Sequence, residues 1–339
     1  MVGPDLTFHG DRELDGSLVD LAVNVRLRTP PPWLATVLIE EIGRLGDYPD
    51  PTAATAAIAA HHDVDPVMVL PTAGGAEAFT LLARAGLGVR PLIIHPQFTE
   101  PEAALLAAGS QPERWILPPE SGFALDPAAV PTGPDLVVVG NPTNPTGVLH
   151  RAVDLLTLAH PDRTLVVDEA FMDAVPGESE SLISPTMPGM LVLRSLTKTW
   201  GLAGLRAGYV IGDPGLVARL RDQQPPWSVS ALALAAMVAI CTPRGAAEAQ
   251  AAAEQYATDR AHLVTGLTRL GLPVIASQAP FVLVRAWAGA RAALRERGYA
   301  VRRGETFPGL GPEWIRIAVR DTVTSDAFLA ALADAMDHR

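Results

Sequence analysis

Short runs of apolar residues alternate with longer amphipathic stretches through the first two thirds of the chain. The runs are apolar throughout, which is typical of strands that are buried on both faces of a parallel sheet. Their alternation with helical stretches predicts an α/β fold, with a mainly parallel sheet between helices. The predicted strands are Leu92–His95, Leu136–Val139, Leu165–Val167, Leu191–Leu193 and Tyr209–Ile211. The predicted helices are Ala76–Ala85, Glu100–Ala108, Leu149–Ala159 and Pro214–Gln223.

The hydrophobic pattern changes near residue 245. Before it, Ala231–Cys241 is an unbroken apolar run, which predicts a buried helix because a membrane span needs roughly 18 such residues. After it come a long helical stretch and short elements in the order strand, strand, helix, strand, strand, helix. We therefore predict an N-terminal arm over residues 1–33, a large domain over 34–245 and a small α+β C-terminal domain over 246–339.

Composition narrows the class of protein. The chain has 339 residues, 48% of them hydrophobic and 19% charged, as in folded rather than disordered proteins. Its formal net charge of −11 argues against nucleic acid or an anionic membrane as a partner. The single cysteine, Cys241, excludes an intramolecular disulfide, and no zinc or calcium ligand spacing predicts a metal site. The first residues lack the pattern of a signal peptide, so we expect a cytoplasmic protein.

Polar segments follow three of the predicted strands: Asn141–Gly147, Asp168 with its neighbours, and Ser195 to Arg206. Each has an ordinary structural explanation, because aspartates cap turns, Asn-Pro steps form turns, and a Ser-x-Thr-Lys segment is often a solvated loop. Ligands, however, bind at the carboxyl ends of parallel strands, so the three segments are expected to share one site. A lysine, a carboxylate and several phosphate-binding groups together match the needs of pyridoxal phosphate.

Three motifs occur in these segments: Asn141-Pro-Thr-Asn-Pro-Thr-Gly147, Asp168-Glu-Ala-Phe171, and Ser195-Leu-Thr-Lys198 with Arg206 downstream. Together they resemble the motifs of fold-type I, class I/II aminotransferases, and the resemblance extends over nearly the whole chain. It implies an enzyme that uses pyridoxal 5'-phosphate, with a large α/β domain and a small α+β domain. It makes Lys198 the lysine that binds the cofactor covalently, Asp168 the partner of its pyridine nitrogen, and Asn144 the donor to its phenolic oxygen.

The resemblance implies further contacts with the cofactor. Its phosphate would be bound by Ser195, Thr197, Arg206 and the backbone amides of Gly75 and Ala76. Phe98 falls where the family stacks an aromatic side chain on the pyridine ring. Tyr48 falls where the family contributes a tyrosine to the phosphate site of the neighbouring subunit, which implies a homodimer.

Within the family, the chain resembles two branches that act on phosphorylated amines. Matches at His9-Gly10, Asp168–Asp173 and Phe307–Arg320 favour the threonine-phosphate decarboxylases of cobalamin biosynthesis, and we expect that activity. Histidinol-phosphate aminotransferase, an enzyme of histidine biosynthesis, is the alternative. Many family members, including the second branch, carry a tyrosine where this chain has Phe171. A non-catalytic regulator that binds the cofactor is disfavoured, because residues 1–33 leave no room for a DNA-binding module.

Arginines near the C-terminus are candidates for binding the anionic groups of the substrate. Arg316 resembles the carboxylate-binding arginine of the family, and its planar guanidinium suits bidentate recognition of a carboxylate. Arg320, four residues later, and Arg302 are candidates for contact with a substrate phosphate. An exposed charge pair on a strand explains Arg302 and Arg303 equally well.

Two residues of the predicted N-terminal arm complete the candidate substrate site. The His9-Gly10 match makes His9 a candidate contact of the substrate phosphate, although a surface histidine is the commoner case. Asn24 ends a matching segment and is expected near the substrate. Arg26 and Pro280 depart from the residues usual in the family, and both are expected near the same pocket.

Overall fold

The computed structural model describes residues 5–25 and 27–338 of the chain. Its strands are β1 (Val19–Leu21), β2 (Val69–Thr72), β3 (Pro91–His95), β4 (Glu113–Ile116), β5 (Leu136–Gly140), β6 (Thr164–Asp168), β7 (Met190–Ser195), β8 (Gly208–Gly212), β9 (Phe281–Arg285), β10 (Tyr299–Arg303) and β11 (Trp314–Ala318). Its α-helices are α1 (Pro32–Ile42), α2 (Thr52–His62), α3 (Gly75–Arg84), α4 (Glu100–Ala107), α5 (Ala152–Leu156), α6 (Pro214–Arg221), α7 (Ala231–Ile240), α8 (Pro243–Arg269), α9 (Ala290–Glu296) and α10 (Thr322–Asp337).

Seven strands form the large sheet, in the order β2-β8-β7-β6-β5-β3-β4. The neighbouring pairs from β7 to β4 are parallel, and β8 runs antiparallel to both β7 and β2. All five predicted strands lie in this sheet, and the predicted α/β fold is confirmed. The pattern missed β2, which contains a proline, and β4, whose edge position leaves most of its residues exposed.

Alternate residues of the central strands pack against helices on opposite faces of this sheet. On one face, Val138 and Val166 share a core with residues of α3, α4 and α6. On the other face, Val137 and Leu165 share a core with residues of α1, α2 and α7. Both faces are buried, which is why these strands are apolar at every position. The carboxyl ends of β5, β6 and β7 consequently lie side by side at one edge of the sheet.

Two helices differ in length from the sequence prediction. The helix predicted over Leu149–Ala159 is shortened to α5, because the Asn141 side chain binds both the N–H and the carbonyl of His150 and holds that segment outside a helix. The long helical stretch predicted from Ala246 to about Leu270 is α8, which begins earlier, at Pro243, because the Thr242 hydroxyl caps it and proline suits its first position. Within the described residues, no single helix is long and apolar enough to cross a membrane, and α7 with α8 passes that test only as a pair bent by 78°. The cytoplasmic location stays a prediction.

A second sheet, in the order β1-β10-β11-β9, forms the small domain together with α8, α9 and α10. Strand β1 comes from the N-terminal arm and pairs in parallel with β10, with Val19 opposite Tyr299. Leu21 of β1 is buried in the small-domain core beside Val301 and Ile317. Residues 19–21 therefore supply an edge strand of the second sheet, and the division into an arm and two domains at residues 33 and 245 stays a prediction.

The buried carboxylate of Glu13 ties the arm to the small domain. Its side chain is 2% exposed and lies 3.1 Å from Arg291 Nη1 and 2.8 Å from Arg303 Nε. The Glu13 carbonyl also accepts a hydrogen bond of 2.7 Å from Arg295. Loss of a buried carboxylate leaves its cationic partners without compensation, which costs more than loss of an exposed ion pair.

Replacement of Glu13 by glutamine is expected to lower the free energy of unfolding by about 2 kcal/mol. A fully buried ion pair would lose more, but the side chains of Arg291 and Arg303 are partly exposed. Equilibrium urea denaturation measures this change. Glu305→Gln is the matched control: Glu305 is half-exposed and lies 3.8 Å from Arg303. Its loss is expected to cost about 0.5 kcal/mol or less. Equal destabilisation by the two variants would contradict the anchoring role of Glu13.

Candidate active site

A cavity of about 570 Å³ lies at the carboxyl ends of β5, β6 and β7 and is lined by both domains and the arm. Most of the site residues that the sequence predicted line this cavity. They are His9, Asn24, Gly75, Ala76, Phe98, Asn144, Asp168, Ser195, Thr197, Lys198, Arg206 and Arg316. Tyr48 and Arg320 were also predicted for the site, and they do not line the cavity. Segments that are distant in the chain therefore meet at one edge of the sheet.

Lys198 and Asp168 face this cavity from the ends of neighbouring strands. Burial, with the positive charges of Arg316 and Arg206, lowers the pKa of Lys198 to about 8. Burial raises the pKa of Asp168 to about 6, against the opposing effects of the Ala170 N–H and the Lys198 charge. Near neutral pH the carboxylate is mostly ionised, and a fraction of the lysine amine is neutral and nucleophilic.

A buried ion-pair cluster holds the ends of β6 and β7 together. Arg194 Nε lies 3.1 Å from Glu169 Oε2, and Arg194 Nη2 lies 2.6 Å from Glu178 Oε2. Glu169 follows Asp168 directly, and Arg194 precedes Ser195. The cluster therefore fixes the spacing between the carboxylate at the end of one strand and the hydroxyl at the end of the next.

The start of α3 and the loop after β7 form a cradle of anion-binding groups. Gly74 has a φ of +79°, which favours glycine, and a Cβ there would lie 2.5 Å from Arg206 Nη2 and displace that guanidinium. The Ser195 and Thr197 hydroxyl oxygens lie 2.7 Å apart. Hydroxyls, a guanidinium and the N–H groups of a helix start suit a phosphate.

Arg316 and Asn144 are held together across the cavity. Arg316 lies on β11, is 4% exposed, and donates from Nη1 to Asn144 Oδ1 over 2.5 Å. Its Nη2 donates to the Ala22 carbonyl, and its Nε has no hydrogen-bond partner among the described residues. Burial lowers the pKa of Arg316, which marks the site as one that favours an anionic ligand. Because the Asn144 oxygen accepts from Arg316, its amide nitrogen is the atom placed to donate to a ligand.

Arg302 lines the same cavity and is not the exposed charge that the sequence equally allowed. It is 2% exposed and lies directly opposite Arg316 in the β10–β11 pair. Its Nη2 donates to the Phe8 carbonyl over 2.6 Å, and its guanidinium packs over the rings of Phe8 and Phe307. Burial lowers the pKa of Arg302 to about 10. Arg303, its neighbour, pairs with Glu13 at 2.8 Å and does not line the cavity.

Arg320 has a different place from the one predicted. Its Nε donates to the Asp20 carbonyl and its Nη2 to the Val23 carbonyl, so it fixes the backbone of the arm. Because its guanidinium binds these carbonyls and does not line the cavity, the structure does not support the contact with a substrate phosphate, which stays a prediction. The spacing between Arg316 and Arg320 gave no sign of this, because β11 ends at Ala318 and the face of the strand no longer determines the direction of Arg320.

Tyr48 is 77% exposed and stacks on Trp227, with ring centroids 4.4 Å apart. It makes no contribution to the cavity of its own chain. Its predicted role concerns the site of a neighbouring subunit and stays a prediction. The exposed stacked pair lies at the surface, where a second chain can reach it.

Three departures from the family pattern have different surroundings. Phe171 lines the cavity and packs edge-on against Phe281 at 5.0 Å between centroids. The Pro280 carbonyl accepts a hydrogen bond from the Val319 N–H, which is a backbone contact next to β11. Arg26 lies outside the described residues. Of the two departures that the structure describes, Phe171 is the one that lines the cavity.

The arm contributes His9 and Asn24 to the cavity wall. His9 Nε2 lies 2.6 Å from Glu100 Oε1. Asn24 is 6% exposed, and its Oδ1 has no hydrogen-bond partner among the described residues. Glu100 lines the cavity too, and sequence reasoning gave it no role. It belongs to no motif of its own, and its partner is distant in the chain.

The sequence was compared with those of known proteins. A sequence model of the family "aminotransferase class I and II" matches residues 17–332. A histidinol-phosphate aminotransferase of Mycobacterium bovis is 48% identical over 318 residues, which cover 92% of this chain and 86% of the relative. A threonine-phosphate decarboxylase of Salmonella typhimurium is 31% identical over 338 residues, which cover 94% of this chain and 91% of the relative.

The fold was compared with those of solved structures. The crystal structure of a histidinol-phosphate aminotransferase from Clostridium acetobutylicum superposes with a TM-score of 0.87 at 24% identity, covering 95% of this chain and 100% of the other. This match concerns the fold, and it agrees with the motifs and with the family match. The predictions of an enzyme and of pyridoxal phosphate as its cofactor are confirmed. The chain belongs to the class I and II aminotransferases, a family of enzymes that depend on pyridoxal phosphate.

Proposed function

We propose that this enzyme transfers the amino group of histidinol phosphate to an oxo acid such as 2-oxoglutarate. The observation that carries the proposal is the 48% identity, over 92% of the chain, with the aminotransferase of Mycobacterium bovis. The decarboxylase of Salmonella typhimurium is 31% identical over a similar length. Similarity over the full chain therefore supports transamination better than the decarboxylation expected from local motifs.

The local motifs that suggested decarboxylation contain groups that both reactions need, so they do not separate the two. Threonine phosphate carries a carboxylate and a phosphate, whereas histidinol phosphate carries an imidazole and a phosphate. Glutamate, the amino donor or product in transamination, brings carboxylates to the same cavity. Anion-binding residues such as His9 and Arg316 thus suit either reaction. Sequence identity over the whole chain also includes the pocket residues that lie outside these motifs.

The cavity fits pyridoxal phosphate, since its glycine-lined cradle leaves room for a phosphate beside Arg206. Bound pyridoxal phosphate supplies an electron sink that is conjugated to the reacting amino group. Lys198 would hold the cofactor, Asp168 would contact its pyridine nitrogen, and Phe98 would stack on its ring. The proposed phosphate contacts are Ser195, Thr197, Arg206 and the amides of Gly75 and Ala76.

The substrate phosphate is proposed to bind between the arm and the small domain. Arg302 and Arg316 are adjacent across β10 and β11, and both line the cavity. Two buried guanidinium groups suit the two negative charges of a phosphate, and each can bind a carboxylate of glutamate in its turn. His9 brings a third nitrogen donor to the same wall.

Proton movement is assigned to Lys198. Its neutral amine is placed to move the proton at the carbon that bears the substrate nitrogen, and a pKa of about 8 suits a base that works near neutral pH. Asp168, ionised at that pH, favours the protonated form of a pyridine nitrogen by charge attraction. The aromatic rings of Phe98 and Phe171 line the wall and limit water around the reacting carbon.

Decarboxylation of threonine phosphate is the second candidate, and Phe171 is the observation that favours it. Its ring lacks the hydroxyl of the tyrosine that the histidinol-phosphate branch carries, so Asn144 remains as the side-chain donor to the cofactor oxygen. Packing against Phe281 explains the ring equally well. The two reactions give different products and can be separated directly.

A homodimer is also proposed. Large apolar side chains are exposed on α1 and the loop that follows it, and the Tyr48–Trp227 pair continues this surface. They are Ile39, Ile42, Leu45, Tyr48 and Trp227. Clusters of exposed apolar side chains mark association surfaces. A second copy of the chain, related by two-fold symmetry, would cover this face and bring Tyr48 towards its neighbour.

The purified enzyme, loaded with pyridoxal phosphate, is expected to form glutamate from histidinol phosphate and 2-oxoglutarate. With threonine phosphate it is expected to release no CO₂. Glutamate is measured by a coupled assay, and CO₂ by release of label from the carboxyl carbon. Release of CO₂ from threonine phosphate, without glutamate from histidinol phosphate, would reverse the order of the two candidates.

Uptake of pyridoxal phosphate by the apoenzyme is expected to accelerate as the pH rises through about 8, because the amine of Lys198 becomes neutral there. The appearance of visible absorbance follows the uptake. Arg316→Gln removes a neighbouring positive charge, so the pKa of Lys198 and the midpoint of the profile are expected to rise. Arg269→Gln, in an exposed part of α8, is the control and should leave the midpoint in place. A wild-type rate that keeps rising to about pH 10, as for an ordinary lysine, would contradict the assignment.

The protein is expected to sediment as a dimer at micromolar concentration, and Ile42→Glu is expected to shift it towards the monomer by burying a charge at the contact. Val89→Glu is the matched control, since Val89 is 87% exposed and lies outside this surface. Dimers that persist unchanged in Ile42→Glu would place the interface on another face.

A further inference from the structure

The segment Leu6–His9 of the arm is held at the cavity by contacts from both domains. On the large domain, the Thr99 hydroxyl donates to the Leu6 carbonyl over 2.7 Å, and Glu100 Oε1 lies 2.6 Å from His9 Nε2. On the small domain, Arg302 Nη2 donates to the Phe8 carbonyl over 2.6 Å. The segment thus bridges the two domains, and its side chain at position 9 lines the cavity.

The backbone next to His9 packs closely on the arginine pair. A Cβ on Gly10 would lie 2.7 Å from the Ala22 carbonyl oxygen and 3.6 Å from Arg302 Cδ, so glycine permits this approach. The same Ala22 carbonyl accepts a hydrogen bond from Arg316. The backbone next to His9 thus packs against Arg302 and against the carbonyl that binds Arg316, and all three of these side chains line the cavity. A phosphate can accept hydrogen bonds from an imidazole N–H and from both guanidinium groups.

Glu100 occupies one nitrogen of the His9 ring and leaves the other, Nδ1, for a ligand. An imidazolium donates from both nitrogens, so it can bind a carboxylate at Nε2 and a phosphate at Nδ1 together. The carboxylate also fixes the direction of the ring, which packs near Phe98 with centroids 5.8 Å apart. Glu100 is 26% exposed in its side chain, so the pair is partly shielded from water.

We propose that Glu100 is a positioning residue that holds His9 in place to bind the phosphate of the substrate. The proposal rests on the proposed function only in requiring a phosphorylated substrate, and it applies to either candidate amine. Thr99 anchors the same segment through the Leu6 carbonyl, whereas Glu100 binds the His9 ring at Nε2. Thr99 therefore separates a loss of the arm contact from a loss of the oriented imidazole.

The test compares Glu100→Gln, His9→Ala, the double variant and Thr99→Val in the enzyme loaded with pyridoxal phosphate. Glutamine keeps the volume of Glu100 and an oxygen that accepts from Nε2, but it lacks the negative charge. KM for the phosphorylated amine is expected to rise about tenfold in Glu100→Gln and in His9→Ala, the scale of one charge-assisted hydrogen bond. The KM of the double variant should be no higher than that of the single variant with the higher KM, since both changes remove the same contact.

Glutamate carries no phosphate, so its KM in the half-reaction and the kcat of the phosphorylated amine are expected to change much less. Glu120→Gln, an exposed change, serves as the control. Inorganic phosphate as a competitive inhibitor of the glutamate half-reaction gives a second measurement that does not depend on the identity of the amine. Its inhibition constant should rise in Glu100→Gln and in His9→Ala, rise less in Thr99→Val, and stay near the wild-type value in Glu120→Gln.

Additive effects in the double variant, or equal KM changes for glutamate and for the phosphorylated amine, would overturn the positioning role. So would an unchanged phosphate inhibition constant in Glu100→Gln. Failure of the proposed function has a different signature: the wild-type enzyme would turn over neither phosphorylated amine while it still processes glutamate. In that case phosphate inhibition alone decides whether Glu100 and His9 form an anion site.

Discussion

Burial of positive charge in one cavity is the constraint on which this structure depends. Lys198, Arg302 and Arg316 face the cavity with Arg206, in a chain whose net charge is −11. Burial lowers the pKa of the first three, which means that the folded protein holds cations where water solvates them poorly. Such a cluster persists because backbone carbonyls and anionic ligands compensate for it. The site is therefore built for the phosphate and carboxylate groups of its ligands.

The arm provides much of the compensation that the protein itself can offer. The Phe8 and Ala22 carbonyls accept hydrogen bonds from Arg302 and Arg316, and Arg320 secures the backbone on either side of Ala22. Neutral carbonyls orient a guanidinium without cancelling its charge, so Arg316 keeps its capacity for an anion, whereas Arg302 also lies 4.0 Å from the buried carboxylate of Glu13. The position of the arm and the strength of the anion site are thus coupled through the same hydrogen bonds. Strand β1, paired with β10, carries that coupling into the small domain.

The sequence predicted the parts that depend on local pattern. Uniformly apolar runs identified the central strands because both faces of the large sheet are buried, and contiguous motifs identified Lys198, Asp168 and Asn144 as neighbours at one edge. It could not distinguish Arg302 from Arg320, because their direction depends on the pairing of β10 with β11 and on where β11 ends. Glu100 was missed for the same reason, since its partner comes from a distant segment. Helix α5 is shorter than predicted because the Asn141 side chain binds the backbone of His150, which then cannot join the helix.

An aminotransferase must accept two substrates of different shape in one cavity, and the adjacent arginines offer a physical basis for this. Arg316 is bound to Asn144, which is proposed to contact the cofactor, so an anion on Arg316 is held in a fixed relation to the reacting centre. Arg302 is bound to the arm, so an anion on Arg302 is held in relation to a segment that both domains share. A carboxylate near the reacting carbon suits the first position, and a phosphate at the far end of a longer amine suits the second. The pairing of β10 with β11 places the two guanidinium groups side by side, and their different contacts hold each one to a different part of the cavity wall.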